Sequence, residues 1–411
     1  MITRRNILKL TAAGVLSTAV AGRAGAQSAD GPIQIALIAP LTGPWARNGE
    51  LMVKGANLAV KHVNDGGGVA KLGGRPLELV IFDTGDTPEK AKNAAQRMVS
   101  QYPNLVGVTG ALLSSFTLAI SEVTERAQLP MLTYSISDQL VSRGFKYIFV
   151  TPLLGSQQAT LAVPALVEIS EKVKGAKPAS AGVLTDNSAG AVSFGGPLRK
   201  GLLKDMGIDV NYDQTFTPPL ADATSLIQGL RSAKPEFLVM VATAVADSKL
   251  LLEKITEFNL GGGKMPIIGA GGQLGTPEIL KNIGQEQLEG VMSVVANWPG
   301  KGLEDVAANY QKETGEPWMT QDGLTEYGDI QLIKYALETS GKADRNAVAD
   351  VIRSIDTTEG PAQYYAGHHL KFDEKGKNVG AKLAIFQWQN GKPVTIYPPE
   401  SAVADPIWPK G

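Results

Sequence analysis

The chain has 411 residues, 43% of them hydrophobic and 19% charged, with 39 basic side chains against 40 acidic ones. That balance gives no electrostatic reason to expect nucleic acid or an anionic membrane surface as a partner, and the length exceeds one ordinary core, so two domains are expected. There is no cysteine, which excludes disulfides and thiolate metal sites, and the only histidines are His62 and the adjacent pair His368 and His369, so no metal centre is expected.

Residues 1–26 read as an export signal. Arg4, Arg5 and Lys9 precede the apolar stretch 10–21, and Ala24-Gly25-Ala26 offers the small residues a signal peptidase needs. The stretch is too short for a permanent membrane span. Thr3-Arg4-Arg5-Asn6-Ile7-Leu8-Lys9 resembles the twin-arginine motif of export after folding, and an ordinary leader with two adjacent arginines is the other reading. No other segment is long and apolar enough to cross a membrane. The mature chain is therefore expected to begin near Gln27, without membrane insertion, in the periplasm of a bacterium with two membranes.

From residue 33 onward, apolar runs alternate with stretches of helical spacing. A strand over 33–39 precedes a helix over 49–64, with Leu51, Gly55, Leu58, Ala59 and Val63 towards one side. After a strand over 77–82, Asp86-Thr87-Pro88-Glu89 supplies a capping residue, a proline for the first turn and an early acid for a helix over 89–100. Strands over 105–108, 131–134 and 147–151 end this run. The alternation restarts with strands at 181–184, 210–216, 237–242 and 267–269, separated by helices at 195–206, 223–232 and 247–258. Helices at 304–313, 325–340 and 346–354 follow. The tail is strand-like at 370–372, 382–389 and 394–397, with Asn390-Gly391 as a turn. Alternation of this kind gives an α/β fold, and two runs give two doubly wound parallel-sheet lobes.

The stretch 105–138 carries the chemistry. Its first strand ends in Thr109-Gly110, and Ser114 and Ser115 stand where a helix begins, because Phe116, Ala119, Ile120, Val123 and Ala127 recur behind them at helical spacing. Pro130 closes that helix, and the next strand runs into Ser135-Ile136-Ser137. In a parallel sheet both loops open at the carboxyl edge. The helix start offers free N–H groups and a positive dipole end there, and the serines offer hydroxyls. That is a site for a small anionic or carboxylated ligand, without a nucleophile and its base. The competing reading of the same serines is structural, since Ser caps helices and satisfies turns.

Ile35-Ala36-Leu37-Ile38-Ala39-Pro40-Leu41-Thr42-Gly43-Pro44, then Gly49 and Val63-Asn64-Asp65-Gly66-Gly67-Gly68, occur in order with Asp83-Thr84-Gly85-Asp86-Thr87-Pro88, Ser114-Ser115 and Phe372-Asp373-Glu374-Lys375-Gly376. In these segments, spread over the mature chain, it resembles the branched-chain amino-acid (leucine/isoleucine/valine-type) binding proteins, the periplasmic receptors of ATP-driven importers. The resemblance implies the type I periplasmic binding fold, with a three-strand hinge between lobe one (27–150 plus 293–360) and lobe two (151–292 plus 361–411). It also implies a small-molecule ligand between the lobes, an inner-membrane ABC permease as partner, a monomer, no cofactor and no catalysis.

By the same resemblance, Ser114 and the loop of Ser135 and Ser137 would hold a ligand carboxylate, and all three retain hydroxyls. Trp45 would pack on the ligand from the loop Trp45-Ala46-Arg47-Asn48, although Asn48 falls at the usual aromatic position. Phe194, just before Gly195, would be the aromatic of the second lobe, with core packing as its alternative. One departure stands out. Relatives that bind α-amino acids place an acid after the strand that reads here Pro266-Ile267-Ile268-Gly269-Ala270, where this chain has Gly271-Gly272-Gln273. Either Asp186, Asp247, Asp322 or Glu326 pairs with the ammonium instead, or the ligand is an aromatic or aliphatic carboxylate or a neutral amide, because a buried unpaired ammonium is strongly unfavourable. Arg47 is a second carboxylate partner or a solvated charge, and Tyr327 a pocket residue or a core one.

Enzyme signatures are missing. No G-x-G-x-x-G follows a strand and opens a helix, Gly261-Gly262-Gly263-Lys264 lacks the spacing of a phosphate loop, and Asp186-Asn187-Ser188-Ala189-Gly190 is not a nucleophile elbow. The rival classes are an exported cofactor enzyme, kept open by the twin-arginine motif, and a ligand-sensing module that signals to a receptor rather than a permease.

Overall fold

Ile33–Ala39 (β1) is buried along almost its whole length, as an apolar strand must be when both faces of a parallel sheet are covered. It is the first strand of the computed structural model, which describes residues 31–408; the export signal expected at 1–26 lies outside the described residues. The first lobe continues through Ala46–Asp65 (α1), Leu77–Asp83 (β2), Pro88–Gln101 (α2), Val108–Gly110 (β3), Ser114–Arg126 (α3), Met131–Thr133 (β4) and Ile148–Val150 (β5). These strands are parallel in the order β2-β1-β3-β4-β5. The chain reverses its direction of travel between β1 and β3, so the crevice that receives a ligand opens at their carboxyl ends. The start of α2 follows its sequence, with Thr87 accepting the Lys90 N–H and Pro88 in the first turn.

The second lobe is built from Gly155–Lys174 (α4), Ser180–Asp186 (β6), Ala189–Pro197 (α5), Leu203–Asp205 (α6), Asp209–Phe216 (β7), Thr224–Ala233 (α7), Phe237–Val241 (β8), Val245–Glu257 (α8), Ile267–Ala270 (β9), Pro277–Ile283 (α9), Gln285–Leu288 (α10) and Met292–Val295 (β10). Its parallel strands run β7-β6-β8-β9-β10, the arrangement of the first lobe repeated. The chain then returns. Glu304–Thr314 (α11), Gln321–Ser340 (α12) and Arg345–Ser354 (α13) pack on the first lobe, where Tyr310, Leu324, Ile330 and Val348 share one core with β1. The short pair Asp356–Thr357 (β11) and Leu370–Lys371 (β12) follows, and Ala384–Gln389 (β13) and Lys392–Tyr397 (β14) extend the second sheet in antiparallel fashion beyond β10.

The passages between lobes fall at 151–154, 296–302 and 378–383. β10 belongs to the second sheet, and Ala362, Tyr365, Leu370 and Phe372 are buried in the core of the first lobe, so the last passage comes well after residue 361. Asn378 ties two of the passages together, its N–H donating to the Val150 carbonyl at 2.9 Å and its Nδ2 to the Thr151 carbonyl at 3.0 Å. The sequence reading expects no helix at 155–174, where α4 runs for 20 residues with Pro164 inside it. The pairing with β1 begins before β3, with the Val106 N–H donating to the Gln34 carbonyl at 3.1 Å and the Gly107 carbonyl accepting the Ala36 N–H at 3.0 Å, and it runs on to Gly110, two residues past the expected end of that strand. No helix among the described residues is long and apolar enough to cross a membrane.

Candidate functional site

The carboxyl edges of the two sheets face each other around a cavity of about 60 Å³. From the first lobe come the loop after β3 with the first residue of α3 (Leu112, Leu113, Ser114) and the loop after β4 (Tyr134, Ser135, Ile136). From the second come Ser188 and Gly190 at the start of α5, Thr243 after β8, and Gly271 and Gln273 after β9, with Gln321 closing the wall from α12. None of the described residues on this wall carries a charge. A wider hollow of about 970 Å³ lies among Pro235, Phe258 and Pro266. It sits at the amino ends of β8 and β9, the edge of a parallel sheet that does not receive ligands.

Ser114 is the first residue of α3, following an extended Leu113. Its Oγ accepts the N–H of Ile136 at 3.2 Å and that of Ser137 at 3.1 Å. A hydroxyl has two lone pairs and one hydrogen. With both lone pairs engaged, the bond left to Ser114 is one in which it donates, at the cavity wall and beside the N–H groups that open α3. Ser135 also reaches the wall, but its Oγ already bonds the Leu112 carbonyl at 3.1 Å and Thr117 Oγ1 at 2.6 Å, joining the two loops. Ser137 is fully buried off the wall, with its Oγ accepting from Ser193 of the second lobe at 3.4 Å, and Ser115 is only partly buried and also off the wall.

The lobes touch on both sides of the cavity. On one side the Asp138 N–H donates to Ser193 Oγ at 3.1 Å, and Ser156 Oγ donates to Asp138 Oδ1 at 2.7 Å. On the other, Arg47 of α1 donates from Nε to Glu278 Oε1 of α9 at 2.8 Å, and its remaining nitrogens bond Glu316 at 2.9 and 2.7 Å. Burial works against the Arg47 charge, but Glu316, Glu278 and Glu50 outweigh it and hold the guanidinium charged. Arg47 therefore bridges the lobes instead of meeting a ligand or standing free in solvent. Glu278→Ala is expected to leave the unliganded fold near wild type, because Arg47 keeps its bonds to Glu316, and to weaken ligand binding by about 1 kcal/mol, through faster release, because the bond between Arg47 and Glu278 forms only when the lobes meet. Stopped-flow dissociation measures this.

The other expected contacts stand away from the wall. Trp45 packs edge-on against Phe116 at 5.7 Å, and Asn48 donates to Asp322 Oδ2 at 3.1 Å, so both serve the first-lobe core. Phe194 is 1% exposed in the core of the second lobe. Tyr327 meets His62 Nδ1 at 2.9 Å. Gly271 does line the cavity, with φ at 102°, and the space its Cβ would fill is taken by Gln273, whose Oε1 would lie 2.1 Å from it. None of the four acids considered for an ammonium is on the wall. Asp186 accepts from the Ser188 N–H and from both the N–H and hydroxyl of Thr243, and Asp247 accepts from the Leu220 N–H. The sequence reading did not single out Tyr134, Ser188, Thr243 or Gln321, which carry no motif and converge only in three dimensions.

Asp322 and Glu326 belong to a buried acid row on α12 that also includes Asp329. Tyr134 donates its O–H to Asp322 Oδ1 at 2.8 Å. The Thr109 hydroxyl lies 2.8 Å from Glu326 Oε2 and 2.6 Å from Asp329 Oδ2. One hydrogen cannot serve both, so one of these carboxyls is protonated. Asp329 also accepts from the Tyr365 hydroxyl at 2.8 Å, while Glu326 Oε1 has no partner among the described residues, which puts the proton on Glu326. Burial pushes Asp322 up to about 6 and holds Glu326 well above the usual carboxylate range, with Asp329 adding to the latter. The folded protein keeps protons here that the unfolded chain releases above about pH 4. Stability from this row is lost as pH rises through these raised values, so its contribution to the melting temperature is expected to fall as pH rises from about 4 through about 6 and above, and Glu326→Gln to flatten that slope.

The family described as periplasmic binding protein matches residues 32–393. Leu/Ile/Val-binding protein homolog 7 of Brucella suis is 28% identical over 396 residues, covering 93% of this chain and 95% of that protein. Among solved structures, the branched-chain amino acid transporter substrate-binding protein LivJ of Streptococcus pneumoniae, in complex with isoleucine, gives a TM-score of 0.74 at 19% identity, over 89% of this chain and 99% of that one. An ABC-transporter solute-binding protein of R. palustris in complex with benzoate gives 0.74 at 18% identity, over 92% and 99%.

Proposed function

We propose that this chain, which belongs to the periplasmic binding protein family, is the substrate-binding protein of an ABC importer and captures a small carboxylate-bearing solute between its lobes in the periplasm. Ser114 is the observation that carries the reading: a hydroxyl whose lone pairs are both held by backbone N–H groups stands ready to donate, at the positive end of α3. Isoleucine and benzoate, bound by the two structural relatives, share a carboxylate and little else. A small, uncharged wall suits a compact solute, and closure removes water from its carboxylate, which strengthens each hydrogen bond to it. The ligand favours the closed form only by as much as it binds that form better, and the closed form is what a permease meets. Among the described residues the partners of Ser114 Oγ are backbone N–H groups and not a base, which supports a role in holding the solute.

A thermal-shift panel of aliphatic and aromatic carboxylates, amino acids and amides identifies the solute, since a ligand specific to the folded state raises the melting temperature. Ser114→Ala is then expected to weaken binding in calorimetry by about 1–3 kcal/mol, the range for a lost hydrogen bond to a charged group. A panel answered by amides and by no carboxylate, or a variant that binds as wild type does, contradicts the reading.

A further inference from the structure

We infer that Gln273 sets the specificity of the cleft: its Oε1 accepts a hydrogen bond from an uncharged donor on the ligand, a hydroxyl or amide N–H near the carboxylate, and so selects hydroxy or amido acids over their ammonium-bearing twins. This rests on the carboxylate reading of Ser114. Gln273 lines the same small cavity as Ser114 and is 7% exposed. Its Nε2 donates to the Thr243 carbonyl at 3.0 Å. A carbonyl oxygen only accepts, so the nitrogen of the amide must face it, and the orientation of the oxygen is fixed in turn. That oxygen is buried with no donor in reach among the described residues. A buried acceptor left unpaired is unfavourable, and a ligand that brings a donor relieves it.

The surroundings decide the charge of that donor. The oxygen occupies the space over Gly271 that any side chain there would claim, so the glycine makes room for the amide. The Gly271 carbonyl accepts from Ser293 Oγ at 2.7 Å, and the carboxylate of Asp186 is taken up by Ser188 and Thr243. An ammonium on this side meets neutral oxygens and no free carboxylate, whereas a hydroxyl or amide N–H needs only the one acceptor. Because Ser114 and Gln273 line one cavity of only about 60 Å³, a ligand that reaches both carries its donor within a few bonds of its carboxylate.

Matched sets that differ at a single position test this: lactate, alanine and propionate; 2-hydroxy-4-methylpentanoate, leucine and 4-methylpentanoate; mandelate, phenylglycine and phenylacetate. Each is titrated into wild type, Gln273→Met and Gln273→Glu. In whichever set binds, wild type is expected to hold the hydroxy acid about tenfold or more tighter than both its twins. Gln273→Met, close in volume but without the acceptor, should hold hydroxy and plain acids alike, and Gln273→Glu should shift the preference to the amino acid. Wild type favouring the amino twin, or a methionine variant that keeps the hydroxy preference, overturns the role of Gln273. The methionine variant decides the matter if the glutamate variant does not fold. Where none of these sets binds, the matched set is built on the carboxylate that the thermal-shift panel identifies; if no carboxylate of that panel binds wild type, the reading of Ser114 fails, and this inference fails with it.

Discussion

A valine at position 190 should abolish ligand capture and leave the fold intact. Gly190 lies in the first turn of α5, and a Cβ there would stand 3.2 Å from Ser114 Oγ and 3.3 Å from Ile136 Cγ1, both in the opposite lobe. A bare methyl is tight but can be accommodated by small shifts. The two further methyls of valine enter the space that Ser114 and Ile136 occupy when the lobes meet, so closure stops short and the ligand keeps its water. Each lobe taken alone gains no clash from these atoms. Gly190→Val is therefore expected to weaken binding by about 100-fold or more, equivalent to about 3 kcal/mol, with Gly190→Ala intermediate. The unliganded melting temperature should stay near wild type. Calorimetry reads the first quantity and thermal unfolding the second.

The opposite pattern, a broken fold, is expected at position 55. α1 and α12 cross so closely that a Cβ on Gly55 would lie 2.0 Å from the Gly323 carbonyl oxygen and 2.6 Å from its carbon. Backbone cannot be displaced as a side chain can, so Gly55→Val must push α12 off α1. That helix carries Gln321 of the cavity wall and the buried acid row. A loss of about 3 kcal/mol or more is expected in urea unfolding, or no soluble protein. Gly196→Ala is the control, since nothing lies within 4 Å of a Cβ there and alanine is the better helix former.

What the sequence could disclose followed from how local each cause is. The inner strands of both sheets announce themselves because parallel strands covered on both faces are apolar along their length, as in β1 and β8. The cap of α2 needs only Thr87 and Pro88. α4 stayed hidden because Pro164 stands inside it and interrupts the helical pattern. The corner at Ser114 was legible as a helix start after a strand, but the assignment of Ser137 depends on Ser193, from another lobe and far along the chain. Trp45 and Phe194 show the same limit. An aromatic near a cleft looks alike in sequence whether it faces the ligand or, as both do, the core. Gly271-Gly272-Gln273 read as a missing acid, while the three-dimensional arrangement adds what replaces it: an amide held by Thr243, with its oxygen over the glycine.

The most direct test is a crystal structure with the tightest-binding carboxylate of the panel. A carboxylate oxygen is expected about 2.7 Å from Ser114 Oγ, between lobes joined by the Arg47–Glu278 pair. A ligand seated in the hollow near Phe258, or one in the cleft with its carboxylate turned away from Ser114, would contradict the account.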